Sequence, residues 1–191
     1  MSQGLRYLLF GLLCLAQIAV PATMVVEHQR TIASGTPWRF QTAPVDPSDP
    51  FRGRYVRLGF AAAREAIPMA NSGMIYMAPG TRMYAELAAG PDGFAHLVRL
   101  HEERPASGDY LDVFVRNMRF ADDRKNKNQP AAAFVRLPFD RYYLPEDRAQ
   151  AVEREYADAT RSAQENTYAE VRVRDGHAAL VGLVLKGSVL Q

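Results

Sequence analysis

Residues 44–60 read PVDPSDPFRGRYVRLGF and are the most informative part of the chain. The first half predicts a stiff loop, because each proline fixes its own φ and pushes the preceding residue towards an extended conformation. Asp46 and Asp49 suit such a loop, since their carboxylates accept hydrogen bonds from nearby backbone N–H groups. From Tyr55 to Phe60 large side chains alternate along the chain, which predicts a strand. The stretch therefore indicates a rigid loop that leads into a β domain.

A long apolar stretch, residues 8–26, lies upstream of this loop. Its length is close to the about 20 residues that cross a bilayer core. Arg6 and the amino terminus precede it, so the positive-inside rule predicts that everything after Val26 lies outside the cytoplasm. A cleaved signal peptide is the alternative, with a small-residue site at residues 20–22 that Pro21 makes unfavourable. In both interpretations the rest of the chain is exported from the cytoplasm.

The composition is that of one globular domain. The chain has 191 residues, of which 48% are hydrophobic and 23% charged, so it is too apolar to be disordered. The formal net charge is only +2 and the arginines are scattered, which argues against a nucleic-acid partner. Cys14 is the single cysteine, so an internal disulfide is excluded.

After the loop, strand-like runs alternate with turn signals. The predicted strands are residues 37–42, 55–60, 82–87, 94–100, 110–116, 134–139, 141–144, 168–173 and 179–185. Gly-Pro-Asp-Gly at 90–93 and Asp-Gly at 175–176 predict hairpins, and 134–139 with 141–144 predicts a further extended pair. The last strand is nearly all apolar, so we expect it to be central and covered on both faces.

Only one good soluble helix is predicted, and it opens at Pro145. Val152, Tyr156 and Ala159 recur at helical spacing on one apolar face. We therefore expect a mainly β (α+β) fold: an N-terminal transmembrane helix, then a compact antiparallel β domain with one α-helix in its C-terminal half. The expected parts are an anchor or signal peptide at 1–27, a juxtamembrane linker at 28–36, and the β-rich domain at 37–191. Residues 27–35 suit either a linker or an extension of the helix.

The order of these features resembles the GDYXXLXY family of membrane-anchored bacterial proteins. The resemblance rests on the apolar anchor, the Asp-Pro block, the strand that follows it, the hairpin at 90–93, and residues 141–146 leading into a helix. Within the signature, Gly53, Tyr55 and Leu58 match. Arg54 stands where the family has Asp, and Phe60 where it has Tyr, so a role that needs the Asp carboxylate does not carry over.

The resemblance implies an exported domain that acts with an integral membrane partner, and it transfers no catalytic residue. We expect a single-pass protein of the bacterial inner membrane whose main domain is periplasmic. The expected function is binding or assembly without catalysis.

The candidate binding residues lie in the Asp-Pro block and at the start of a second Gly-led strand. They are Asp46, Asp49, Arg52, Arg54, Tyr55 and Asp109. If Gly53 and Gly108 begin paired strands, carboxylates and guanidinium groups meet at one sheet end and would bind a polar ligand or hold a partner loop. A structural ion-pair network is the alternative.

Nothing in the sequence indicates a metal, a cofactor or a catalytic residue. The four histidines form no closely spaced ligand pair, and phosphate-binding glycine loops are absent. The alternative function is a hydrolase or small-ligand-binding protein that uses the same carboxylates, and it predicts a concave pocket around a carboxylate with a perturbed pKa. The binding function predicts an exposed apolar or aromatic patch beside the loop.

Overall fold

The computed structural model describes residues 3–44, 55–70, 77–119, 132–143, 146–161, 167–185 and 187–190. They form two α-helices, a 3₁₀ turn (Ala61–Ala63) and antiparallel strands. The helices are α1 (Gln3–Ser34) and α2 (Glu146–Arg161). The strands are β1 (Thr36–Ala43), β2 (Tyr55–Arg57), β3 (Gly59–Phe60), β4 (Ile67–Pro68), β5 (Arg82–Ala89), β6 (Ala95–His101), β7 (Tyr110–Arg119), β8 (Ala132–Arg136), β9 (Arg141–Tyr143), β10 (Tyr168–Arg174), β11 (His177–Leu185) and β12 (Ser188–Leu190). The predicted fold class is therefore confirmed.

Helix α1 exposes its apolar side chains along its whole first part, from Leu5 to Val26. It is long and apolar enough to cross a membrane, which is consistent with single-pass anchoring. Residues 27–34 continue the helix, so the segment between the apolar stretch and β1 is a helix extension.

The junction between α1 and the β domain is closely packed. The Gly35 N–H donates to the Thr31 carbonyl at 2.9 Å, and Thr31 is only 2% exposed. A side chain at Gly35 would overlap that carbonyl oxygen. Arg172 donates to the Gly35 carbonyl at 3.1 Å, and Arg174 donates to Ser34 Oγ at 3.2 Å. The last turns of α1 are thus held against the β10–β11 hairpin without a free linker.

The strands form two five-stranded sheets and a two-stranded ribbon. The first sheet has the order β12-β11-β10-β1-β3, the second has β4-β8-β7-β5-β6, and the ribbon pairs β2 with β9. The strand predicted at 55–60 is divided at Leu58, whose N–H donates to the Asp140 carbonyl at 2.9 Å. The division exists because β2 pairs with β9 while β3 pairs with β1.

One buried cluster joins the two sheets and α2. Three rings meet in it: Phe40 lies 6.1 Å from Phe60 and 5.0 Å from Phe139, and Phe60 lies 5.2 Å from Phe139, measured between centroids. Helix α2 adds Val152 and Tyr156, so its predicted apolar face is confirmed for these residues. The predicted hairpins are present as β5–β6 and β10–β11.

Two details differ from expectation. The runs 134–139 and 141–144 are both extended at their starts, but β8 lies in the second sheet and β9 lies in the ribbon. Strand β11 has neighbours on both sides, yet only residues 182–185 are continuously buried, because its first half flanks the exposed hairpin turn. The polar loop predicted at 121–130 lies outside the described residues.

Candidate functional site

Four of the six predicted binding residues lie outside the described residues: Asp46, Asp49, Arg52 and Arg54. Tyr55 and Asp109 are described, and Tyr55 is the first residue of β2. The ribbon that contains Tyr55 therefore shows what the chain presents directly after the Asp-Pro block.

The ribbon carries tyrosine and arginine side chains on one face. Tyr55 pairs with Tyr143, and Arg57 pairs with Arg141. Val56, between them in the chain, is buried in the core, so its neighbours on β2 point to the opposite face. We call this set, Tyr55, Arg57, Arg141 and Tyr143, the tyrosine–arginine patch.

The patch is held together by ring and cation contacts. The Tyr55 and Tyr143 ring centroids are 5.8 Å apart, and the Arg141 guanidinium lies 5.2 Å from the Tyr55 centroid. A hydrogen bond with Tyr143 raises the pKa of Arg141, with smaller contributions from Tyr55 and Asp140. Tyr143 remains 66% exposed. The patch thus offers a large aromatic surface next to a permanent positive charge.

Helix α2 provides the base from which the ribbon projects. The Tyr156 hydroxyl accepts the Gly59 N–H at 2.9 Å and donates to the Ala43 carbonyl at 3.0 Å. Burial raises the pKa of Tyr156 to about 12, so the phenol is neutral at physiological pH. Ala43 and Gly59 lie on either side of the Asp-Pro block and of β2, and Tyr156 therefore holds both flanks of this segment.

Asp109 lies at a different place in the fold. It accepts the Trp38 indole N–H at 2.9 Å through its carboxylate, and its backbone carbonyl accepts the Leu87 N–H at 2.9 Å. Strand β2 pairs with β9, whereas β7 pairs with β5 and β8, so the strand pairing that would bring Asp109 beside the Asp-Pro block is not formed. In the structure Asp109 links β1 to the second sheet.

A cavity of about 90 Å³ lies at the turn of the β5–β6 hairpin. It is lined by Gln41, Ala61, Ala62, Glu65, Asp92, Phe94, Ala95 and His96. The Phe94 N–H donates to Asp92 at 3.0 Å and is the main reason that the pKa of Asp92 is lowered, with His96 Nε2 at 3.1 Å adding to it. Ligand sites are commonly about 300–1,000 Å³. Among the described residues, moreover, no three His, Cys, Asp or Glu side chains are placed to hold a metal ion.

The outer face of the second sheet carries a feature that the sequence analysis missed. Guanidinium groups lie over aromatic rings in four pairs, at 5.7–5.9 Å from the ring centroids: Arg82 with Tyr84, Arg104 with Tyr110, Arg116 with Phe134, and Arg136 with Phe114. Arg82 also forms an ion pair with Asp112. The signal was the alternation of Arg with Tyr or Phe at 82/84, 114/116 and 134/136, which places them on one face of their strands.

The comparisons with known proteins assign the chain to a family. The model described as GDYXXLXY protein matches residues 17–183, from within α1 to within β11. No curated protein and no solved structure matches the chain. Because the matched residues cover most of the sequence, the chain belongs to the GDYXXLXY protein family.

Proposed function

We propose that this protein is a membrane-anchored binding or assembly domain that acts with an integral membrane partner. In this proposal α1 stays in the bacterial inner membrane as an uncleaved signal anchor, and the β domain is periplasmic. The apolar stretch of α1 and Arg6 before it support this orientation.

The tyrosine–arginine patch is the observation that carries the proposal. Tyr and Arg are enriched where proteins bind each other, because they combine large contact areas with hydrogen-bonding groups. Tyr143 is two-thirds exposed although its ring contacts that of Tyr55 at a tilt of 56°, so this contact favours the exposed position of the ring before a partner arrives. An exposed aromatic patch directly after the Asp-Pro block is what the binding function predicts.

The packed junction after α1 supports a partner in the same membrane. Gly35, Arg172 and Arg174 hold the helix end on the β10–β11 hairpin, so the β domain keeps a set orientation relative to α1. A domain held in this way presents its surfaces at a constant height above the bilayer. This arrangement lowers the ordering cost of binding a protein that is also fixed in the bilayer.

The hydrolase or small-ligand alternative has weaker support among the described residues. The Asp109 carboxylate is hydrogen-bonded to Trp38, and the cavity beside Asp92 is smaller than an ordinary ligand site. The lowered pKa of Asp92 keeps it ionised, which does not suit a general acid.

The proposal is tested with full-length protein crosslinked in its native membrane, followed by quantitative identification of the integral membrane proteins recovered. Arg141→Ala and Tyr143→Ala are each expected to reduce recovery of one such protein about tenfold. Arg136→Ala is the matched control, because Arg136 is also exposed and also lies over an aromatic ring, that of Phe114. Equal recovery from all three variants would contradict the proposal.

A further inference from the structure

Gln17 is a polar residue within the apolar part of α1. It is exposed, and among the described residues its side chain makes no hydrogen bond. Nine residues separate it from Val26, which is about 14 Å at 1.5 Å per residue and thus near the middle of a bilayer core. An amide at that depth has no water to bond, so leaving it unpaired is unfavourable.

Pro21 removes the usual donor for a second polar group at the same level. Proline has no backbone N–H, so Pro21 cannot donate the usual helix hydrogen bond to the Gln17 carbonyl. The hydroxyl of the nearby Thr23 does have a partner within the helix, because it donates to the Val20 carbonyl at 2.7 Å. Gln17 therefore combines a side-chain amide that makes no hydrogen bond among the described residues with a backbone carbonyl that lacks its usual i+4 donor.

The direction of Gln17 follows from the helix repeat. Gln17, Met24 and Thr31 are spaced by seven residues, and such positions stay on one side of a helix with a drift of only about 20° per step. Thr31 is buried where α1 meets the β domain, and Glu27, four residues earlier, lies 4.0 Å from His177 of the β10–β11 hairpin. The β domain thus lies over the side of α1 that carries Gln17.

We infer that the face of α1 formed by Leu13, Gln17 and Met24 binds a membrane-spanning helix of the integral membrane partner. That helix would carry a hydrogen-bonding side chain at mid-bilayer depth, since polar side chains join helices in lipid. This inference rests on the proposed function and locates the contact beneath the β domain. A second parallel copy does not fit this face, because two β domains would then occupy the same space above it.

The test places a photoreactive amino acid in α1 of the full-length protein in its native membrane. Leu13 lies on the proposed face, whereas Leu15 points to the far side of the helix and is the matched control. We expect an adduct at Leu13 with an integral membrane protein, joined within one of its spanning segments, and an adduct at least tenfold weaker at Leu15. Gln17→Leu should abolish the Leu13 adduct, and Gln17→Asn should preserve it because the amide is retained.

Three outcomes would overturn the inference: no adduct at Leu13, equal adducts at both positions, or an adduct that persists in Gln17→Leu. A fourth is dimerisation of the chain itself. An adduct at Leu13 that joins two copies of this chain would show it. If the Leu13 adduct fails while recovery of the partner still depends on Arg141 and Tyr143, the inference fails and the proposed function stands.

Discussion

The Tyr156 hydroxyl oxygen lies 2.9 Å from the Gly59 backbone nitrogen and accepts its N–H in the space between α2 and β3. The same hydroxyl donates to the Ala43 carbonyl. Because Ala43 ends β1 and Gly59 begins β3, one side chain of α2 connects the strands that flank the Asp-Pro block and β2. The position of the tyrosine–arginine patch therefore depends on α2.

Tyr156→Phe should destabilise the domain while leaving its fold unchanged. The substitution removes one oxygen and leaves the Gly59 N–H and the Ala43 carbonyl without this partner, which costs about 1–3 kcal/mol of unfolding free energy. Denaturant unfolding monitored by circular dichroism measures the loss. Tyr143→Phe is the control, since that ring is exposed, and equal effects of the two substitutions would show that the Tyr156 hydroxyl is not structural.

Stability should fall at alkaline pH because of the same residue. The pKa of Tyr156 is raised from 10 in the unfolded chain to about 12 in the fold. The stability that the neutral Tyr156 phenol contributes is therefore fully present below pH 10. It is lost as pH rises from 10 to 12, which lowers the unfolding free energy by about 3 kcal/mol at most. The stability difference between the wild type and Tyr156→Phe should narrow over this range. A difference in unfolding free energy that stays constant from pH 10 to 12 would contradict the raised pKa of Tyr156. The ionisation of the other tyrosines affects both proteins equally and cancels in this comparison.

Gly176→Ala should destabilise the fold more than Gly93→Ala does. Both glycines have positive φ, 86° and 79°, so both substitutions carry a similar backbone strain. A Cβ at Gly176 would also lie 2.5 Å from Asp112 Oδ1, whereas nothing lies within 4 Å of one at Gly93. We expect the unfolding free energy to fall by about 1–3 kcal/mol more in Gly176→Ala than in Gly93→Ala, because overpacking typically costs this much. Similar melting temperatures would mean that Asp112 moves away without cost.

Asp109 and Trp38 should be energetically coupled. Trp38→Phe and Asp109→Ala each remove the same indole–carboxylate hydrogen bond, so the double variant should lose about 1 kcal/mol less than the sum of the single losses. Equilibrium unfolding of the four proteins gives this coupling. Asp109→Ala should also leave recovery of the membrane partner unchanged. Additive losses would contradict the coupling, and loss of partner recovery in a folded Asp109→Ala protein would indicate a binding role for the carboxylate.

Local chemistry was sufficient to predict several elements. Asp-Gly at 175–176 predicts the β10–β11 turn because Asp175 and Gly176 adopt the positive φ that such a turn requires. The spacing of Val152 and Tyr156 predicts the buried face of α2, since both positions recur at the helix repeat. In these cases the information lies within a few consecutive residues.

Long-range pairing accounts for what was missed. The division of the strand at Leu58 depends on the Asp140 carbonyl, far along the chain. Strands β4 and β12 are too short to show a period, and they form only by pairing with β8 and β11. Tyr55 was correctly expected to be extended, but its pairing with Tyr143 is a tertiary contact. The hydrogen bond between Asp109 and the Trp38 indole is also a tertiary contact, since the two residues are 71 positions apart in the sequence.

The close contacts at Gly35 join α1 to the β domain without a flexible linker. Because the close contacts at Gly35 leave no flexible segment between them, a change in the tilt of a membrane-spanning α1 would turn the β domain with it. The tyrosine–arginine patch, as part of that domain, would turn with it. If α1 spans the membrane as proposed, a change of its tilt would reorient the β domain without any rearrangement within that domain.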